Sequence, residues 1–257
     1  MGTVSHRKYI RWYPDEASEP TSTVVLTSPE NHFVDLRILL PPDGAANLSN
    51  EPATAGELPL DRLDWAIAGT TISEAATAPT GEPIRRSTFC HWVSSRDADP
   101  AGVSDVGDMY PQEDGTTLEK GTMVNPATGR ATGYDELWYD LLAPTSDFIA
   151  VLRVDAGAVK GMLVWIGALC QALVRDEHGI ALERWERVVP ERGGAAAAAG
   201  GEDEDEDAEE EETWTRTVRM GSRQLPCESI LTGKVTLETN GVVACQGDMW
   251  QVVELHA

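Results

Sequence analysis

Residues 161–174, GMLVWIGALCQALV, are apolar on both faces of any extended conformation, which excludes a strand with one side in water. Met162, Val164 and Ile166 fall on one face, and Leu163, Trp165 and Leu169 on the other. A run of this length also fits a buried helix, and periodicity does not separate the two. The preferred reading is a strand, or a broken pair of strands, lining the interior of one barrel and packing outward on a second unit. Whatever form it takes, the chain must cover it on two sides.

The rest of the sequence supplies that cover in short pieces. Helix-period stretches are scarce, whereas runs rich in Val, Ile, Thr and Trp recur between Gly, Pro and Asn, the pattern of antiparallel β structure. Strands are expected over 5–13, 23–27, 33–40, 63–72, 84–94, 116–124, 135–142, 148–154, 162–174, 180–189, 214–220, 234–239 and 242–253. That is too many for a single small barrel. Two turns carry register information: Asn240-Gly241, with the preference of a two-residue hairpin for positive φ, and NPATG at 125–129, with its early proline and late glycine.

An internal echo extends the argument. VVLTSPENHFVDLRILLPP and GTMVNPATGRATGYDELWYDLLAP both run strand, turn, strand, then a leucine pair and proline. The fold class expected is all-β, with two tandem antiparallel barrels packed together. Residues 1–104 would form the first and 105–257 the second, divided in the polar segment 96–108. Residues 193–212 (GGAAAAAGGEDEDEDAEEEE) are expected to be a disordered acidic loop between two strands.

Charge and composition exclude several functions. The formal net charge is −23, and with ten acidic residues between 202 and 212 the remainder still carries about −13 by subtraction. A surface of that sign repels nucleic acid and anionic lipid, and Arg85-Arg86 is too small to be a basic patch. Cys90, Cys170, Cys227 and Cys245 show no CxxC spacing and read as structural thiols. The N-terminus has no apolar signal region, and His6 stands where myristoylation wants Ser or Thr. A cytoplasmic protein, or one also found in the nucleus, with no membrane insertion is expected.

No reaction announces itself by motif. The five histidines form no HxxxH or HExxH arrangement, so no metal site is expected; His91 and His256 are the only positions considered for heme, with an ordinary hydrogen-bonded role as the alternative. Nucleophile elbows and phosphate loops are absent, Cys90 and His91 point to opposite faces of a strand, and no cofactor is expected. Asp135 and Glu136 diverge for the same reason, while Glu136, Trp138 and Asp140 share a face. A barrel of this size encloses either side chains or one small ligand. Ligand-binding candidates, chosen by strand position, are Trp65, His91, Tyr110, Trp138, Arg153 and Trp165; the competing reading is that these side chains only fill cores.

Four segments carry a resemblance: 24–38 (VVLTSPENHFVDLRI), 89–96 (FCHWVSSR), 109–142 (MYPQEDGTTLEKGTMVNPATGRATGYDELWYDLL) and 161–176 (GMLVWIGALCQALVRD). Together they resemble the fungal HRI proteins, named for interacting with a casein kinase I. The resemblance implies two lipocalin-like (calycin) barrels in tandem. It also implies association with a casein kinase or a component of the secretory translocon. Similar calycin-like fungal proteins act in secondary metabolism as cofactor-free cyclases, including hetero-Diels–Alderases, a chemistry that needs only a shaped apolar pocket and a polar contact. Two functions are therefore expected to compete. One is a binder of a small apolar molecule, extending to a cofactor-free pericyclase; the other is a non-catalytic interaction protein. Thr213 and Thr215, at the end of the acidic run, are the phosphorylation candidates for an acid-directed kinase.

Overall fold

The computed structural model describes residues 1–41, 57–188 and 213–256, and the acidic tract expected to be a loop lies outside them. The chain builds two antiparallel β units in succession. The first is a closed up-and-down barrel of eight strands: β1 (Thr3–Trp12), β2 (Thr21–Thr27), β3 (His32–Leu39), β4 (Leu63–Thr77), β5 (Pro83–Ser94), β6 (Ser104–Pro111), β7 (Thr117–Asn125) and β8 (Arg130–Leu142). Closure comes from β8 pairing back on β1, from Thr3 opposite Leu142 to Trp12 opposite Tyr134.

The second unit is a curled seven-stranded sheet that stops short of closing. Its strands are β9 (Ile149–Ala156), β10 (Val159–Ile166), β11 (Leu169–Asp176), β12 (Gly179–Val188), β13 (Thr213–Met220), β14 (Val242–Cys245) and β15 (Asp248–His256), in the order β13-β12-β11-β10-β9-β15-β14. A short helix, α1 (Cys227–Leu231), sits in its concave face. Leu225, Cys227, Ile230 and Leu231 pack there against Leu152, Leu163, Cys170, Trp185 and Trp250.

The two-sided apolar run is resolved as a broken pair. β10 and β11 form a hairpin turned at Gly167, whose φ of +53° favours glycine. Met162, Val164, Ile166 and Leu173 face the barrel, where they meet Val24, Leu26, Val34, Leu36 and Ile38. Leu163 and Val174 face the concave side. Leu169 lies with Ile166 rather than with Leu163, because the turn at Gly167 places it opposite Ile166 across the hairpin.

Three other expectations are corrected. The polar segment 96–108 does not divide two units: it joins β5 to β6 inside one barrel, and the units part between Leu142 and Ile149. The internal echo is β2-β3 and β7-β8 of that same barrel, two hairpins with one alternation because both wrap one lumen. Residues 234–239 form no strand; Val235 and Leu237 pack onto the core around α1 instead.

Candidate functional site

Alternation decides what the barrel encloses. On β8, Tyr134, Glu136 and Trp138 point inward; β7 supplies Glu119 and Met123, β3 supplies Phe33, Asp35 and Arg37, and β4 supplies Trp65 and Ile67. The NPATG turn sets this register, since Asn125 pairs with Arg130 and so places Glu119 directly opposite Glu136. Two glycines, paired across β6 and β7, leave room for the Glu119 and Tyr134 side chains. A Cβ on Gly107 would lie 2.5 Å from Glu119 Oε1, and one on Gly121 2.5 Å from the Tyr134 hydroxyl.

The lumen has two adjacent chambers with a shared wall. The outer, of about 250 Å³, opens past Met1, Thr3, Arg85 and Leu142; Val25, Phe89, Met109 and Trp138 form its apolar wall, and hydroxyls such as Thr71, Ser73, Ser87 and Thr117 line the rest. The inner, of about 50 Å³, is walled by Phe33, Trp65, Ile67 and Tyr134 with Asp35, Arg37, Asp105 and Glu136. Val25, Phe89, Glu119 and Trp138 belong to both. A larger hollow of about 550 Å³ at the rim of the second sheet is a polar dish, walled by Glu183, Arg216, Arg219, Glu228 and Lys234 and open to solvent.

Glu136 is paired with two arginines in the lumen, as a buried charge in low dielectric requires. Glu136 Oε1 receives Arg7 at 2.5 Å and Arg37 at 2.8 Å. Arg37 also donates to Asp35 Oδ2 at 2.9 Å, and Arg7 to Glu19 at 2.8 Å. Burial alone would raise the pKa of Glu136, but Arg37 and then Arg7 outweigh it and hold the carboxyl below its usual range. Glu119 goes the other way. Burial, followed by the charge of Glu136, pushes it up to about 7, although it accepts hydrogen bonds from Tyr134 (2.7 Å) and Trp138 Nε1 (2.9 Å). Burial also raises Asp35 against the pull of Arg37, and its Oδ1 has no hydrogen-bond partner.

The six candidates separate in space. Trp65 and Trp138 wall the lumen. His91 is buried beside it, with its ring 5.8 Å from Trp65 and Nε2 2.9 Å from Asp105 Oδ2. Tyr110 does not face the lumen: its strand neighbour Met109 does, and Lys120 lies over the Tyr110 ring at 5.1 Å. Arg153 stacks on Trp92 at 3.9 Å, a contact between β9 and β5. Trp165 belongs to the concave core of the second sheet, against Phe148 and Trp214. Strand position alone gave no way to tell inside from outside for these last three. No sequence signal marks Asp35 and Arg37 as inward-facing; for Glu119 the signal is the NPATG turn, whose register makes it the cross-strand partner of Glu136.

Among the described residues, Glu30, Glu254 and His256 bring ligand-type atoms within 4.8 Å of one another. Glu254 is already saturated there. It accepts from Ser28, the Glu30 backbone and both His32 and His256, and so straps the β2-β3 turn to the last strand. No helix of the described residues is long and apolar enough to cross a membrane.

A family model described as Protein HRI1 matches residues 3–254. The chain belongs to the HRI1 family. Among solved structures, the crystal structure of uncharacterized protein YLR301w from Saccharomyces cerevisiae is similar over 100% of both chains, with a TM-score of 0.67 at 17% identity. That likeness extends the double β fold to a distant sequence and speaks to fold alone. No curated protein matches this HRI1-family chain.

Proposed function

We propose that this HRI1-family protein binds one small, largely apolar molecule in the barrel lumen. The observation carrying the proposal is the two-chambered cavity in the barrel lumen, with aromatic side chains in both chambers and buried carboxylates around the inner one. Its volume bears on chemistry as well. At about 250 Å³ the outer chamber holds a single small body, which fits binding, or a cofactor-free cyclisation within one substrate, better than the joining of two large partners as in a hetero-Diels–Alder reaction.

The test is titration of the full chain with an apolar fluorescent probe. Ser87 is buried on the outer chamber wall, and Ser87→Phe places a ring in that space. The variant is expected to bind at least tenfold more weakly while melting near the parent temperature. Equal affinity would move the site elsewhere.

A second reading, an interaction protein recognised by a casein kinase, draws on Thr213 and Thr215. Both are exposed at the start of β13, an edge strand, while Trp214 between them turns toward the core. Phosphate incorporation by an acid-directed kinase that disappears in Thr213→Ala/Thr215→Ala supports this reading, and incorporation unchanged in that variant removes it.

A further inference from the structure

The walls of the lumen also specify the charge of what they hold. Asp35, a lining residue of the inner chamber, is 5% exposed; Oδ2 is engaged by Arg37, while Oδ1 is buried with no donor. A buried carboxylate oxygen without a donor is costly, so such an atom marks where a ligand's donor belongs. Its surroundings share its sign. Asp35, Asp105, Glu119 and Glu136 line the chamber against the single guanidinium of Arg37. Behind them Arg7 is matched by Glu19, leaving the imbalance in place.

The strong donors that line the inner chamber are already committed. Arg37 directs Nε to Asp35 and Nη1 to Glu136, and Arg7 uses all three of its nitrogens on Glu19, Glu136 and Thr21. The Tyr134 hydroxyl and Trp138 Nε1 both point at Glu119. An anionic head in the inner chamber would therefore meet carboxylates and committed donors; the arginine of the outer chamber, Arg85, stands at its mouth. A cation meets acceptors, together with the rings of Phe33, Phe89, Trp65 and Trp138, whose faces attract positive charge. Two guanidinium groups already use one of those rings, with Arg37 5.2 Å and Arg96 4.3 Å from Trp65. The inner chamber, at about 50 Å³, has room for an ammonium head and too little for an aromatic body, which must stay in the outer one.

We propose that the lumen ligand is an amphiphilic amine, its ammonium group donating to Asp35 Oδ1 in the inner chamber and its apolar body filling the outer chamber beside Phe89, Met109 and Trp138. This rests on the lumen being the binding site and adds the ligand's chemical class. Glu119 tunes it. Facing Glu119 are Glu136, Arg37 and Tyr134, and its own ionisation near 7 adds a negative charge to the chamber as pH rises.

Three probes of one skeleton decide the matter by calorimetric titration of the full chain: 2-phenylethylamine, 2-phenylethanol and 3-phenylpropanoate. The amine is expected to bind at least tenfold tighter than the alcohol, with the carboxylate weakest, and to gain affinity from pH 6 to pH 8. Asp35→Asn should bring the amine down to the alcohol's affinity and leave the alcohol within twofold. Because Asp35→Asn also removes a partner of Arg37, Glu119→Gln serves as a second variant, expected to abolish the gain between pH 6 and pH 8. Equal binding of amine and alcohol, tightest binding of the carboxylate, or a preference unchanged in both variants overturns the proposal. Failure of all three probes also overturns it, and the apolar-probe titration with Ser87→Phe then judges the lumen reading separately.

Discussion

Glu119 sits with two donors, Tyr134 and Trp138, on its oxygens and a second carboxylate, Glu136, across the strand pair, and this sets how stability responds to pH. Its folded pKa of about 7 exceeds the ordinary value of 4.5, so between those values the folded protein keeps a proton that the unfolded chain releases. That contribution is present below pH 4.5 and is lost as pH rises through 7. Glu136, held low by Arg37 and Arg7, contributes in the opposite sense and loses its share only in acid. Glu119→Gln keeps the neutral form at every pH, its amide oxygen accepting from Trp138 and its amide nitrogen donating to the Tyr134 oxygen. Chemical denaturation of the two proteins should agree near pH 4, below the unfolded value of 4.5. By pH 8 the variant should be the more stable, by on the order of 3 kcal/mol at most, from ~1.4 kcal/mol per pKa unit. A difference independent of pH would show that Glu119 does not titrate in this window. Of this arrangement the sequence displayed the shared face of Glu136, Trp138 and Asp140. It could not display burial at Asp35 or Glu119, because a charged residue in an alternating strand reads as solvent-facing until closure of the barrel is known.

At the level of elements, turn chemistry was readable where the flanking strands also pair, and misleading where they do not. NPATG forms the β7-β8 hairpin: Asn125 Oδ1 accepts the Ala127 amide, and Gly129 turns the chain at φ +66°. Asn240 also adopts positive φ, at 60°, and the Gly241 amide bonds back to Glu238, but this turn joins no two strands. The alternation of Val235 and Leu237 before it is real, and it is spent on packing against the core around α1. The tight hairpin falls at Gln246-Gly247, both with positive φ, between paired Cys245 and Asp248. Glutamine is an unfavoured residue there, which is why the sequence pointed to the wrong turn. Strand β6 has no strand signal for a related reason: SDVGDMYP gives one face to Gly107, left bare for Glu119, and so lacks the apolar period that marks a strand.

Across the whole molecule, the two-sided run at 161–174 correctly demanded a second packed unit, because a sheet with two apolar faces needs cover on both. What it could not reveal is the polar clasp within that contact. Arg184 of β12 and Gln171 of β11 stand side by side, both fully buried, and reach into the barrel wall. Arg184 donates to Gln171 Oε1, the Ser22 hydroxyl and the Leu36 carbonyl, while Gln171 Nε2 serves the Val24 and Val34 carbonyls. Burial lowers the Arg184 pKa to about 10, so the guanidinium is still charged at neutral pH. With Leu26, Val34, Leu36 and Ile38 completely covered by the second sheet, neither unit presents a wettable surface at this face. The two units should therefore melt as one. Calorimetry of the full chain is expected to show a single transition, which Arg184→Leu lowers by roughly 3 kcal/mol or more, since several buried acceptors lose their donor at about 1–3 kcal/mol each. Two resolved transitions in the parent would mean that the shared core does not couple the units. A shift of less than about 1 kcal/mol in the variant would mean that apolar contact alone joins them.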